Sequence, residues 1–170
     1  MEKYSKRIIW IHWISTLLII GLSVSGVMME DAKDTGFKLS LYQFHFVAGI
    51  LVFLLTIMRV LAYFKDARPA DLYPSQSFRQ KIIHFVHKGF YWVILWMCIS
   101  GIISLFVQNL WQSALSSDAS QLPNVRENMS VIMLSHHIVA KFVFLLLIMH
   151  VVGAFSHIIQ TKENVFKRII

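Results

Sequence analysis

Four long apolar runs constrain this 170-residue chain more than any other feature. About 20 helical residues cross a hydrocarbon core, and the runs at roughly 8–29, 41–64, 82–106 and 131–159 each supply them. In lipid only helices or closed barrels satisfy their own backbone groups, and these runs lack the alternation of strands. The chain is therefore expected to be all-α, an integral membrane four-helix bundle forming a single membrane domain over 1–170. The connections are polar: "EDAKDTGFKLS", "KDARPADLYPSQSFRQK" and "NLWQSALSSDASQLPNVRENMS". The second holds Pro69 and Pro74, as a helix-breaking loop should. The N-terminal run follows a basic flank but is long, carries His12 and has no clear small-residue cleavage motif. It reads as a retained helix rather than a removed signal.

Composition agrees. Hydrophobic residues make up 56% of the chain, against about 45–50% in soluble domains. The 15% that are charged bunch between the runs, with 16 Lys and Arg against 9 Asp and Glu. In a chain this apolar the basic surplus is a topology signal, and no nucleic-acid partner is expected. Lys3, Lys6 and Arg7 precede the first run. Lys65, Arg68, Arg79, Lys81 and Lys88 surround the middle loop, and Lys162, Lys167 and Arg168 close the chain. The other two loops carry Lys33, Lys38 and Arg126 against Glu30, Asp31, Asp34, Asp118 and Glu127. By the positive-inside rule both termini are expected to be cytoplasmic. Cys98 is the sole cysteine, which excludes an internal disulfide and any cysteine-based metal or iron–sulfur site; no C-x-x-C-H motif for covalent haem occurs.

All eight histidines fall within the four runs, where ionisable residues are costly and usually functional. At about 100° per residue, His136 and His150 share a face of the fourth run, whereas His137 points elsewhere. Their 14-residue separation is a rise of about 21 Å. The expected topology puts His12, near the inner end of the first run, level with His150. It puts His45, near the outer end of the second, level with His136. Two pairs at two depths, each from two helices, suit two bis-imidazole b-type haems, His12/His150 inner and His45/His136 outer.

Other residues fit this frame. Arg59 lies 14 residues after His45, at the inner level, where it would pair with a haem propionate or snorkel to headgroups. Gly26 faces the outer level, and Gly49 follows His45 by one turn. Both make room for a flat ring or serve close helix packing. His157 lies at the inner interface, beyond the roughly 20 core residues counted from Val131, so it is read as free of iron. Free imidazoles there, His157 and His87 above all, could hydrogen-bond or protonate a quinone, while His84 reads as solvated. Lys141 would meet an outer-haem propionate or an anionic substrate, or snorkel outwards.

The motifs "IHW" opening the first run, "FHFVAG" opening the second with Arg59 at its far end, "HFVHKGFY" opening the third, and His136 and His150 followed by His157 together resemble the bacterial cytochrome b561 family. The likeness covers essentially the whole chain. It implies a four-helix dihaem cytochrome of the bacterial inner membrane, with two haem b held by His12, His45, His136 and His150, exchanging electrons with the quinone pool. One branch of the family passes electrons from superoxide to ubiquinone, and His157 occupies the position of a histidine linked there to quinone or proton handling. Two positions depart from the family pattern. Cys98 stands where a proline often precedes the glycine of the third helix, and His137 where a glutamate often follows the ligand of the fourth. The outer loops also sum to a negative charge, which does not favour steering an anion.

Electron transfer between an outer-side donor and a quinone is thus the leading expectation, as an oxidoreductase if the chain acts alone. The alternative is the haem subunit of a larger dehydrogenase, such as a hydrogenase or molybdoenzyme. A histidine-lined metal or proton transporter is a third class, but acidic residues expected at its midplane are missing from the runs. Lipid and quinone are the expected partners. The donor, a partner subunit and a second copy of the chain are left open.

Overall fold

The computed structural model describes residues 2–122 and 129–170, so Arg126 and Glu127 lie outside the described residues. Four long helices carry the fold: α1 (Lys6–Asp31), α2 (Thr35–Lys65), α3 (Phe78–Val107) and α5 (Val131–Thr161). All four are long and apolar enough to cross a membrane. No strand occurs among the described residues. The architecture is a four-helix membrane bundle, as the apolar runs predict.

The first three helices begin several residues before or at the edge of their apolar runs, and caps explain where. Ser5, Asp34, Ser77 and Ser130 each accept a hydrogen bond from the backbone N–H three residues on. That satisfies a donor that helix geometry would otherwise orphan. Hydropathy marks the segment that needs lipid, whereas the cap marks the first turn. The polar stretch after α3 holds a seven-residue helix that hydropathy does not predict, α4 (Leu110–Ser116). It lies between two left-handed residues, Asn109 (φ 55°) and Ser117 (φ 54°). Gln43 on α2 anchors it, donating to the Ala114 carbonyl at 3.0 Å and to the Ser117 hydroxyl at 3.0 Å.

The bundle is two hairpins. Helix α1 packs along α2 and α3 along α5, while α2 against α3 joins the pairs. The backbone of α5 scarcely approaches α1 or α2, which leaves a slot between the hairpins. The interior is unusual in its chemistry. Small hydroxyls are buried there, among them Ser15, Ser25, Thr56, Ser100 and Ser104, whereas Trp10, Leu17, Phe64 and Trp92 point outwards. This is the pattern of membrane helices, whose outer faces meet hydrocarbon and whose small residues permit close approach.

Both termini and the α2–α3 loop gather at one end of the bundle. Tyr4 N–H donates to the Arg168 carbonyl at 3.0 Å, and the Trp13 indole donates to the Ile169 carbonyl at 2.8 Å. Arg168 donates to the Ala70 carbonyl at 2.7 Å. Asp66 accepts from the Ser5 hydroxyl at 2.6 Å and pairs with Arg7. These two partners hold the Asp66 carboxyl below the usual carboxylate range. The three basic clusters of the sequence meet at this basic end. The α1–α2 turn and α4 lie at the opposite, turn end.

Candidate functional site

The slot is bridged at two levels by imidazoles. Near the basic end, His12 on α1 faces His150 on α5 with ring centroids 6.3 Å apart. Near the turn end, His45 on α2 faces His136 on α5 at 6.4 Å. In each pair one ring comes from each hairpin. These are the pairings that helical arithmetic and depth predict.

The spacing has a chemical meaning. An imidazole nitrogen bonds a metal at about 2.0 Å, and the ring centre lies about 1.1 Å behind that nitrogen, so two rings clasping one ion from opposite sides sit about 6.2 Å apart. Both pairs match. Two ligands do not suffice for a free ion, and among the described residues no cluster of three or more His, Cys, Asp or Glu could hold one. Paired imidazoles across a slot instead suit an iron whose equatorial positions are already filled. Haem b is such a group, and the residues present fit it.

The turn-end pair is tightly supported. The Ser25 hydroxyl lies 2.9 Å from His45 Nδ1, and the Ser100 hydroxyl lies 2.9 Å from His136 Nδ1. Each hydroxyl has one proton, and each has a backbone carbonyl to receive it: Leu22 at 3.1 Å for Ser25, Trp96 at 2.7 Å for Ser100. Each serine oxygen therefore accepts from its histidine. That places the proton on Nδ1 and leaves Nε2 as the free ligand atom. Ser100 is 0% exposed and Ser25 3%. A glycine follows each serine. A Cβ on Gly26 would lie 3.6 Å from His45 Cε1, and one on Gly101 would lie 3.3 Å from His136 Cε1. The same two-residue step, Ser-Gly, thus grips one imidazole from α1 and the other from α3. A Cβ on Gly49 would meet nothing within 4 Å.

The basic-end pair sits differently. A cavity opens beside it, lined by all four long helices, with Ser15, Thr56, Arg59, His87, Phe90 and Tyr91 around His12 and His150. Arg59, predicted at this level, faces the Tyr91 ring at 5.9 Å. His87 packs edge-on against His150 at 5.2 Å. Its Nδ1 donates to the Ile83 carbonyl at 2.8 Å, so its Nε2 is an acceptor. No side-chain hydrogen bond to the ring nitrogens of His12 or His150 is found among the described residues.

His157 is not among the cavity's lining residues. It is 5% exposed, its Nδ1 bonds the Tyr73 hydroxyl at 2.6 Å, and its Nε2 has no hydrogen-bond partner, with Glu163 at 3.8 Å. Sequence reasoning placed it at an interface; the α2–α3 loop, through Tyr73, covers it instead. His84 bonds Gln80 at 2.9 Å and meets Asp71 at 3.3 Å. His137 turns from the slot toward Glu30, 4.0 Å away. Lys141 is exposed and has no ion pair among the described residues.

Ser25, Ser100, Tyr73 and Tyr91 are not among the residues the sequence points to, and Gly101 enters there only as the glycine of the third run that follows Cys98. The recurrence of Ser-Gly near the same end of two spans, "VSGVM" and "ISGII", was the available signal.

The family model described as prokaryotic cytochrome b561 matches residues 3–170. The chain is 25% identical to cytochrome b561 homolog 1 of Escherichia coli (strain K12), across 100% of this chain and 98% of that protein. It is 23% identical to the probable superoxide oxidase CybB of Yersinia pestis, across 99% of this chain and 96% of that protein.

Proposed function

The chain belongs to the prokaryotic cytochrome b561 family, and from that premise we propose that it is a dihaem relay carrying electrons from a donor at the turn end to a quinone at the basic end. It is a multi-pass bacterial membrane protein, a b-type cytochrome of electron transfer that binds haem. The dihaem relay rests on one observation, the two imidazole pairs at two levels with the spacing that one iron requires.

In this reading His12 and His150 hold the basic-end haem, and His45 and His136 the turn-end haem. Haem b supplies reversible one-electron chemistry, and bis-imidazole ligation leaves the iron no open position. With both imidazoles of a pair committed, the site would relay electrons rather than bind a donor or acceptor at the metal. Arg59 faces a propionate of the basic-end group, which its planar fork suits. The basic end lies in the cytoplasm by the positive-inside rule, and the membrane is the bacterial inner membrane.

The quinone is reduced near His87 and His157. Supporting this, His87 Nε2 is a free acceptor and His157 Nε2 is buried without a hydrogen bond. Reduction of one quinone to the quinol takes two electrons and two protons. Imidazoles between the cavity and the Tyr73 loop can pass those protons from the cytoplasmic side. Superoxide is the donor favoured by the relative named for it: two superoxide ions give two dioxygen molecules and the two electrons required. Lys141, exposed and without an ion pair among the described residues, is the cation on α5 available to attract that anion.

The test is spectroscopic. The purified protein reduced with dithionite is expected to show a b-type α-band and two haems per chain; one haem, or none, overturns the reading. Superoxide is expected to reduce the haems and, with ubiquinone present, to yield quinol without a further subunit. Recovery from native membranes only with a stoichiometric dehydrogenase would overturn the lone-chain role.

A further inference from the structure

Resting on the dihaem reading, we propose that Ser25 and Ser100 are positioning residues that make the turn-end haem the lower in potential of the two. The fold would thereby bias electrons toward the basic end.

The hydrogen bonds give the direction. His45 and His136 each donate Nδ1–H to a serine oxygen at 2.9 Å. Donation of that proton makes an imidazole more basic and fixes its tautomer and orientation. A more electron-rich axial ligand stabilises ferric iron, which lowers the reduction potential. Both serines are buried, so water does not compete for the bond. Each serine has a helix carbonyl in reach of its own proton, which leaves its oxygen to accept from the imidazole. The glycine that follows each serine lets the ring lie close: Gly26 beside His45 and Gly101 beside His136.

At the basic end Ser15 and Thr56 border the cavity, but among the described residues no hydroxyl bonds a ring nitrogen of His12 or His150, and Arg59 joins them in lining it. A positive charge in a poorly solvated site favours the less positive, reduced iron, because charges there are weakly screened. The two environments therefore push in opposite senses. The difference comes from α1 and α3 at one level and from α2 at the other, while α5 supplies a ligand to both.

The experiment uses the full-length holoprotein in detergent, with potentiometric titration of the α-band and electron paramagnetic resonance of the oxidised state. The wild type is expected to titrate as two components. His150→Ala, which removes a basic-end ligand, should retain the lower one and so assign it to the turn end. Ser25→Ala and Ser100→Ala should keep both haems and move the lower component upward, further in the double variant, with the upper component unmoved. The low-spin signal of the same haem should change, and Ser25→Thr should restore the wild-type potential. Two haems with one shared midpoint overturn the proposal. So does an unmoved lower component in both alanine variants, or a shift confined to the upper one. If Ser100→Ala does not accumulate, Ser25→Ala carries the same test on its own ligand. One haem per wild-type chain, or two haems retained by both His45→Ala and His136→Ala, would instead bring down the dihaem reading itself.

Discussion

The two histidine pairs have nearly the same ring spacing, 6.3 and 6.4 Å, and opposite surroundings. At the turn end each ring is gripped by a serine and grazed by a glycine. At the basic end the rings border a cavity shared with an arginine, a tyrosine and a further histidine. The spacing answers what an iron needs, which is the same at both levels. The surroundings answer what each level does besides. In the proposed relay the turn end exchanges electrons alone with its donor, and such a site gains from rigidity, because little reorganises. A site that also meets a substrate and its protons needs room and titratable neighbours.

The strongest way to break this comparison is to remove ligands level by level. His45→Ala or His136→Ala is expected to abolish the turn-end haem alone, and His12→Ala or His150→Ala the basic-end haem alone, read as one haem per chain instead of two. Loss of both haems from every variant would show that the levels are not independent.

Glycine substitutions sharpen the contrast within the turn end. Gly101→Ala would press its new methyl against His136 at 3.3 Å, whereas Gly26→Ala would make ordinary contact at 3.6 Å. The first is expected to cost about 1 kcal/mol of overpacking and to alter the turn-end haem signal. The second should leave both unchanged, and haem retention during thermal denaturation separates the two.

At the basic end, Tyr73→Phe removes the hydroxyl from His157 without disturbing either pair. A buried neutral hydrogen bond is worth about 1 kcal/mol, so quinone reduction is expected to fall about fivefold. Haem content and superoxide-driven haem reduction should be unchanged. An equal loss at every step would place Tyr73 in folding rather than at the quinone.

The smallest effect concerns the clasp at the basic end. Folding lowers the Asp66 pKa through the hydrogen bonds from Ser5 and Arg7. The ionised carboxylate is thus favoured in the folded chain, and its contribution is present above the unfolded-state value. It is lost as pH falls through the folded one. Asp66→Asn is expected to melt slightly lower than wild type at neutral pH and to converge with it in acid. A gap that widened in acid would reverse the sign.

How much of this was legible beforehand follows from the physics of each part. The spans were, because lipid demands length and apolarity in one continuous stretch. The pairings were as well, because 100° per residue separates His136 and His150 from His137 without knowledge of any neighbour. The serines were not. A serine within a membrane helix commonly bonds its own backbone, and here both do. Only the register between α1 and α2, and between α3 and α5, reveals that the remaining lone pair meets an imidazole. Tyr73 depends on the path of a loop that periodicity does not describe, and α4 is too short and too polar for hydropathy to find.

The slot between the hairpins bears on how the protein is made. Under the proposed ligation each iron takes one histidine from α1 or α2 and its other from α5, the last span to be synthesised. Neither hairpin alone can hold a haem by two bonds, so neither cofactor can be locked in before the final helix arrives. The cofactor then acts as a staple across halves that otherwise touch mainly through α2 and α3. By mass action, whatever binds only the assembled form stabilises it. Cellular haem supply would therefore govern the lifetime of the whole chain, and a cell short of haem would lose the protein as well as its colour.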